Sequence, residues 1–197
     1  MATNKERREA TRASIVSAAR ECFARDGYEQ THTDSILERA GVSRGAMYHH
    51  FPSKRDVFEA VYVSLVEEAI AHALRAGAGS DSPLEELIAA CNAWLRLVRK
   101  PEVATILIEQ GPSVLGWKRA RDIEAVSSMA PMRKAIERAV SAGEIAVPSV
   151  EIAAMLINAL VAEVALISLH HKPRVPVGVQ EASIRQFIEG LRTGKIQ

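Results

Sequence analysis

The chain has 197 residues, of which 48% are hydrophobic and 25% are charged, and its formal net charge at pH 7 is +1. This length is enough to bury one large hydrophobic core or two small ones, and the balance of charges excludes an overall basic excess. The N-terminus is charged from its fifth residue and shows no apolar leader, so we expect a cytoplasmic globular protein.

The first predicted helix ends at Asp26 and Gly27, because glycine readily adopts the left-handed conformation that terminates helices. The start of this helix concentrates the positive charge of a nearly neutral chain in Lys5, Arg7, Arg8 and Arg12. These side chains either contact phosphates or form a solvated helix face. Thr3 and Glu6 also fit a capping box that would simply begin this helix.

Two short helices are predicted next. Thr31 and Thr33 offer hydroxyl groups as N-caps for the first of them, which Gly41 ends after about two turns. Ser43 is a natural N-cap for the second. The connection over residues 40–43 is too tight for an antiparallel hairpin and matches a helix-turn-helix, in which the second helix enters a DNA major groove.

Short helices joined by a glycine turn also occur in all-helical cores, so the chemistry of the exposed face carries the prediction. Arg44 can pair with guanine, the Ala46 methyl group can contact a thymine methyl, and Gly45 allows close backbone approach. Hydroxyl and ammonium groups that can contact phosphate oxygens come from Thr33, Ser43, Tyr48 and Lys54.

The segment Ile15 to Tyr62 resembles the DNA-binding domain of TetR-type transcriptional regulators, most specifically in the run GVSRGAMYHHFPSK, residues 41–54. The resemblance implies that the third helix reads DNA. The residues that it implies to face bases are Arg44, Gly45, Ala46 and His49. Those that it implies to hold the DNA backbone are Thr33, Tyr48, His50 and Lys54.

One departure from the family lies in the second helix, which carries Asp34 where a basic or small polar residue is common, and Ser35 where an acidic one is common. A carboxylate cannot bond phosphate. Asp34 therefore either caps the N-terminus of its own helix or accepts a hydrogen bond from a cytosine amino group, and the helix dipole favours capping.

The rest of the chain is also predicted to be helical. A long amphipathic helix starts near Ser53 and Asp56 and runs towards Ala76, before a connector over residues 77–82. No strand alternation competes with the helical period beyond that connector. The later helices are predicted over residues 84–98 after Pro83, 102–110 before a Gly-Pro break, 117–142, 150–170 after Pro148, and 179–191.

Residues 152–169 are long and apolar enough to raise the question of a membrane span, since Glu163 is the one charged residue among them. A carboxylate in hydrocarbon is costly, so we expect no membrane contact and instead burial by the chain's own domain and by a partner subunit. The resemblance implies a four-helix bundle made by the last two helices of two subunits. We predict a homodimer on a palindromic double-stranded DNA operator.

Large apolar side chains outside the reading helix either pack in a core or line a pocket for a small-molecule effector, which the family binds among its middle helices. The candidates are Phe58, Tyr62, Trp94, Trp117 and Met129. Asn158 and Glu163 are polar residues on an apolar helix and can bond in the pocket or at the interface.

The sequence therefore predicts an all-α protein with a helix-turn-helix DNA-binding domain, residues 1–56, and a larger effector-binding and dimerisation domain, residues 57–197. The function predicted is transcriptional regulation, most simply as a repressor released by its effector. An enzyme is the competing class, but no catalytic motif, cofactor motif or metal spacing is present. A helical interaction module that does not bind DNA is the other alternative.

Overall fold

The computed structural model describes residues 3–170 and 175–193. Over these ranges the regular structure is helical, apart from an isolated bridge between Ile145 and Arg192. The predicted all-α fold is confirmed. The helices are α1 (Asn4–Gln30), α2 (Thr33–Ala40), α3 (Arg44–His50), α4 (Lys54–Gly77), α5 (Pro83–Leu97), α6 (Pro101–Val103), a π-helical segment (Ala104–Gln110), α7 (Gly111–Leu115), α8 (Trp117–Ser141), α9 (Val150–His170) and α10 (Val177–Glu189).

The chain forms two compact units. The first combines Met1–Leu65 with Pro101–Arg121, and the second combines Val66–Lys100 with Asp122–Gln197. This division differs from the predicted boundary at residue 56 for two reasons. Helix α4 continues unbroken through that boundary, and the segment Pro101–Arg121 packs with the N-terminal helices.

Helix α1 begins with the predicted capping box, in which the Thr3 hydroxyl accepts from the Glu6 backbone N–H and the Glu6 carboxylate accepts from that of Thr3. The helix breaks at Gly27, where φ is 78°, and continues as a short turn to Gln30. The predicted end is thus a kink, because the Thr31 backbone N–H and hydroxyl both donate to the Gly27 carbonyl.

The N-cap prediction for α2 is wrong. Thr31 is buried and its hydroxyl already donates to Gly27, while Thr33 lies inside the helix at its first position. His32 occupies the N-cap position and makes no side-chain capping bond. The C-terminus follows the prediction, since Gly41 takes the left-handed conformation with φ 67°.

Aromatic rings form the core of the first unit. The Phe58 ring packs edge-on against Phe23, with centroids 5.2 Å apart, and against Tyr28 at 5.3 Å. The Gln110 side chain, at the end of the π-helical segment, accepts from the Tyr28 N–H at 2.9 Å and donates to the Phe23 carbonyl at 3.3 Å. The π-helical segment is thereby fixed to the end of α1.

The helix predicted over residues 102–110 is irregular, because most of it adopts the π-helical form and α7 follows immediately at Gly111. Gly111 is buried against the fully buried Tyr62 ring. A Cβ atom at position 111 would lie 2.2 Å from the Tyr62 Cε2 atom. The Gly-Pro sequence therefore marks a close approach between two segments of the first unit rather than a simple helix break.

In the second unit, helix α5 is fixed by hydrogen bonds at its N-terminus and by an ion pair with α10. The Ser82 hydroxyl caps α5 at the Glu85 N–H, and the Glu144 carboxylate accepts from the Ser82 hydroxyl at 3.0 Å and from the Leu84 N–H at 2.9 Å. The Arg185 guanidinium then binds both oxygens of the Glu85 carboxylate, each at 2.9 Å.

Gly111→Ala should lower the free energy of unfolding by about 1 to 3 kcal/mol, because the added methyl group would overlap the fully buried Tyr62 ring. Thermal and urea denaturation followed by circular dichroism measure the change. The matched control is Gly178→Ala, where a Cβ meets no atom within 4 Å and the change should stay within about 0.5 kcal/mol. Equal stability of the two variants would contradict the packing described for Gly111.

Candidate functional site

Helix α3 is fixed between a cap and a buried side chain. The Ser43 hydroxyl accepts from the Ala46 N–H at 3.2 Å, as predicted for an N-cap, and Met47 is fully buried. The Gly41 and Val42 N–H groups return to the carbonyls at the end of α2. These bonds set the direction in which α3 leaves the turn.

The opposite face of α3 is exposed. Arg44, Gly45 and His49, predicted to face bases, are solvent-exposed, whereas Ala46 is half-buried. Tyr48 is 43% exposed on the same helix. A guanidinium, aromatic rings and an unobstructed glycine backbone therefore share one surface of a short helix, a combination suited to a DNA groove.

Asp34 pairs with Arg44. The Arg44 Nη2 atom donates to the Asp34 Oδ1 atom at 2.5 Å, and both side chains are largely exposed. The capping role favoured for Asp34 is corrected by this contact, because the carboxylate is directed to the guanidinium across the turn and α2 has no side-chain cap. Asp34 thus holds the residue predicted to bind guanine.

Lys54 bonds within the protein. Its ammonium group donates to the Tyr28 carbonyl at 2.8 Å and to the Thr31 carbonyl at 3.1 Å, and it lies 4.2 Å from the centroid of the Tyr28 ring. An ammonium has three N–H groups, so two are used by these bonds. Thr33, which was also predicted to contact the DNA backbone, is half-buried.

His50 is half-buried at the end of α3. Burial lowers the pKa of His50 below its usual value, and the positive charges of Arg8, His49 and Arg12 lower it further. His50 is therefore uncharged at neutral pH and can donate one N–H to an acceptor. The Arg12 guanidinium of α1 lies over the Phe51 ring, which directly follows α3, at 5.2 Å from its centroid.

The second unit contains a cavity of about 440 Å³. Its wall is mainly apolar and is contributed by α4, α5, α8 and α9. Trp94 and Asn158, both predicted for a pocket, line it. The lining residues that the sequence analysis did not identify include Leu87, Cys91, Ser128, Met132, Arg138 and Val161.

The other pocket candidates lie elsewhere. Phe58 and Tyr62 are fully buried in the aromatic core of the first unit. Trp117 is 55% exposed, with the Arg121 guanidinium over its ring at 5.6 Å. Met129 and Glu163 are not in the cavity wall, and Glu163 faces solvent.

The sequence carries a signal for some of these additional cavity-lining residues and none for others. Cys91 is three residues from Trp94 on α5, so helical spacing already places both on one face. Burial raises the pKa of the Cys91 thiol to about 12, which keeps it neutral. Ser128 carries no such signal, because a lone serine in an amphipathic helix is common.

The C-terminal helices leave an apolar surface exposed. Only 28% of the window Val150–Ile167 is buried in the chain, and by length and composition this window could cross a membrane. Leu156 on α9 is 65% exposed and Phe187 on α10 is 66% exposed. Both line a groove that also includes Ile152, Leu160 and Leu191.

Two family models match the chain. The model for bacterial regulatory proteins of the tetR family matches residues 15–61, and the model for the tetracycline repressor-like C-terminal domain matches residues 84–191. The first covers the helix-turn-helix, and the second covers α5 to α10, of which α5, α8 and α9 line the cavity.

Known proteins of this kind are similar over most of the chain. An HTH-type transcriptional repressor of Mycobacterium tuberculosis is 30% identical over 120 residues, which is 60% of this chain and 63% of the repressor. The match thus spans less than two thirds of that relative's length. A TetR-family regulator from Pectobacterium atrosepticum has a solved structure that is 25% identical, with a TM-score of 0.81 and 98% of each chain covered.

The protein RolR, solved in complex with the ligand resorcinol, has a similar fold, with a TM-score of 0.73, 15% identity and 98% of each chain covered. The second family model alone accounts for more than half of this sequence. The two family-model matches show that the chain belongs to the TetR family of bacterial regulatory proteins, and the helix-turn-helix geometry agrees with this.

Proposed function

We propose that this protein is a cytoplasmic transcriptional regulator, most simply a repressor, that binds an operator in double-stranded DNA. The observation that carries the proposal is the exposed face of α3, where Arg44, Gly45, Tyr48 and His49 lie on a helix fixed by the Ser43 cap. A short helix with these groups matches the dimensions and the donor and acceptor pattern of a major groove.

In this proposal Arg44, Gly45, Ala46 and His49 contact bases. Thr33, Ser43, Tyr48 and His50 contact the DNA backbone, with His50 acting as a neutral N–H donor. Lys54 has a positioning role, because two of its N–H groups hold the Tyr28 and Thr31 carbonyls and leave one for a phosphate oxygen.

The exposed apolar surface of α9 and α10 supports a homodimer. A large exposed apolar patch on a soluble protein marks an interaction site. The chain itself buries one side of α9 and leaves the other side exposed. A second copy that covers Leu156 and Phe187 would remove both from water. Dimerisation would also bring two reading helices to half-sites about 34 to 36 Å apart, as a palindromic operator requires.

The cavity of the second unit supports regulation by a small-molecule effector. Its volume lies within the range of ligand pockets, which is about 300 to 1,000 Å³. The structurally similar RolR has been solved with resorcinol bound. Helix α4 runs without a break from Lys54, shortly after the end of α3, to Gly77 in the cavity wall. We therefore propose that α4 carries the coupling between effector binding and DNA binding.

Arg44→Ala should lower the free energy of discrimination between operator and random DNA by about 1 to 3 kcal/mol, because a bidentate guanine contact is lost. Fluorescence anisotropy on both DNAs at constant salt measures the ratio of the two affinities. The matched control is Arg133→Ala, an exposed arginine on α8 that pairs with Glu151. An unchanged ratio for Arg44→Ala would remove the reading helix from the proposal.

Asp34→Ala should strengthen binding to random DNA, because a carboxylate near phosphates is lost, and should weaken discrimination by roughly 0.5 to 1 kcal/mol. The loss of discrimination should disappear when Arg44 is already alanine, because Asp34 acts through the guanidinium that it holds. A double-mutant cycle on the same two DNAs tests this. Additive effects of the two substitutions would show that the ion pair has no part in recognition.

Leu156→Glu should raise the dissociation constant of the dimer by at least about 100-fold, because each subunit would bury a carboxylate in an apolar interface. Sedimentation velocity over a range of concentrations measures it. Val126→Glu is the control, since Val126 is 82% exposed on α8, outside the proposed interface. A wild-type protein that stays monomeric with and without operator would refute the dimer.

A further inference from the structure

The start of α1 extends beyond the packed part of the first unit. Every residue over 3–10 is exposed, and Ile15 is the first residue of the helix to be buried. Arg8 and Arg12 precede Ile15 and the buried Ala19 at helical spacing, so these four side chains lie in one row along the helix. The two arginines therefore continue the side of α1 that packs into the core further along the helix.

Helix α1 meets the helix-turn-helix at two points. The Ser14 hydroxyl donates to the Ala40 carbonyl at the end of α2, at 3.0 Å. The Arg12 guanidinium lies 5.2 Å from the centroid of the Phe51 ring, and Phe51 is the residue that caps the C-terminus of α3. Because Phe51 is only 4% exposed, its ring provides a fixed surface for the guanidinium. Arg12 is thus positioned at the C-terminal end of the reading helix.

The Arg8 and Arg12 side chains form no ion pair with any residue in the ranges 3–170 and 175–193. Further along the same helix, Arg20 pairs with Glu102 at 2.5 Å and Arg25 pairs with Asp26 at 2.6 Å. A guanidinium carries five N–H donors and no acceptor. Arg8 and Arg12 therefore leave their donors open to an anion from outside the chain.

Positive charge accumulates beside the end of α3. The pKa of His50 is lowered first by burial and then by the positive charges of Arg8, His49 and Arg12. The C-terminus of a helix offsets only about half an elementary charge through its dipole. The two guanidinium groups together exceed this, so the junction of α1 and α3 attracts anions.

We propose that Arg8 and Arg12 bind phosphates of the DNA backbone next to the C-terminal end of α3, beside the backbone contact proposed for His50. Guanidinium groups bind phosphate oxygens bidentately, and such contacts position a protein on DNA without reading bases. The proposal rests on the DNA-binding role given to the first unit above, and adds a contact surface on α1 outside the helix-turn-helix. Arg8 and Arg12 supply affinity for any DNA sequence, whereas Arg44 supplies discrimination.

The salt dependence of DNA binding tests this proposal in the full-length protein. Arg8→Gln and Arg12→Gln are compared with Arg7→Gln, which removes the same charge from the same helix. Arg7 also lacks an ion pair in the described part of the chain, but its side chain points about 100° away from that of Arg8. Fluorescence anisotropy gives the dissociation constants for an operator duplex and a random duplex between about 50 and 200 mM KCl.

Arg8→Gln and Arg12→Gln should each flatten the slope of log affinity against log salt by about 0.9 for every copy of the protein on the DNA, because a phosphate contact is lost. Both duplexes should lose affinity by the same factor, since these contacts carry no sequence information. Arg7→Gln should keep a slope close to that of wild type. Arg8 contacts no ring or carboxylate among the described residues, so its variant cannot act by weakening the fold.

A wild-type slope in Arg8→Gln and Arg12→Gln, or an equal flattening by Arg7→Gln, would overturn the proposal and leave a solvated helix face that acts through net charge alone. A loss of affinity confined to the operator duplex would overturn it as well, because the two arginines would then read bases. DNA binding with unchanged slopes removes only the contacts of Arg8 and Arg12. A wild-type protein that binds neither duplex would instead refute the proposed function, and this contact surface with it.

Discussion

The ammonium group of Lys54 joins three helices of the first unit. It bonds the Tyr28 carbonyl beyond the kink of α1 and the Thr31 carbonyl before α2, while its own residue begins α4. A partly buried cation requires such acceptors, and the Tyr28 ring below it adds a further attraction. The direction of α2, and through the Gly41 turn that of α3, depends on this junction.

The two units use opposite arrangements of polar and apolar groups. The first buries a compact aromatic core and exposes polar side chains such as Arg44 and His49 on α3, whereas the second encloses an apolar cavity and leaves the apolar faces of α9 and α10 in solvent. A ligand that favours one conformation of the second unit can shift DNA affinity by about 1 to 3 kcal/mol in typical allosteric proteins. Helices α4 and α8 each contribute residues to both units, and under the proposed function they are the segments that would carry such coupling.

The sequence predicted features that depend on local chemistry. The Ser43 cap, the left-handed Gly41, the capping box at Thr3 and, to within two residues, the bounds of α5, α8, α9 and α10 followed from residue type and spacing. Contacts between distant segments could not be obtained in this way. Nothing in the sequence shows that Gln110 bonds the end of α1, that Asp34 faces Arg44, or that Phe58 and Tyr62 belong to a core while Ser128 lines a cavity.

The central claim is that α3 reads a DNA sequence in two symmetric copies. Selection of bound sites from random double-stranded DNA, followed by sequencing, tests it most directly. We expect enrichment of two inverted half-sites whose centres are one helical turn apart, about 34 to 36 Å. Binding that enriches no sequence, or that enriches a single unpaired half-site, would contradict it.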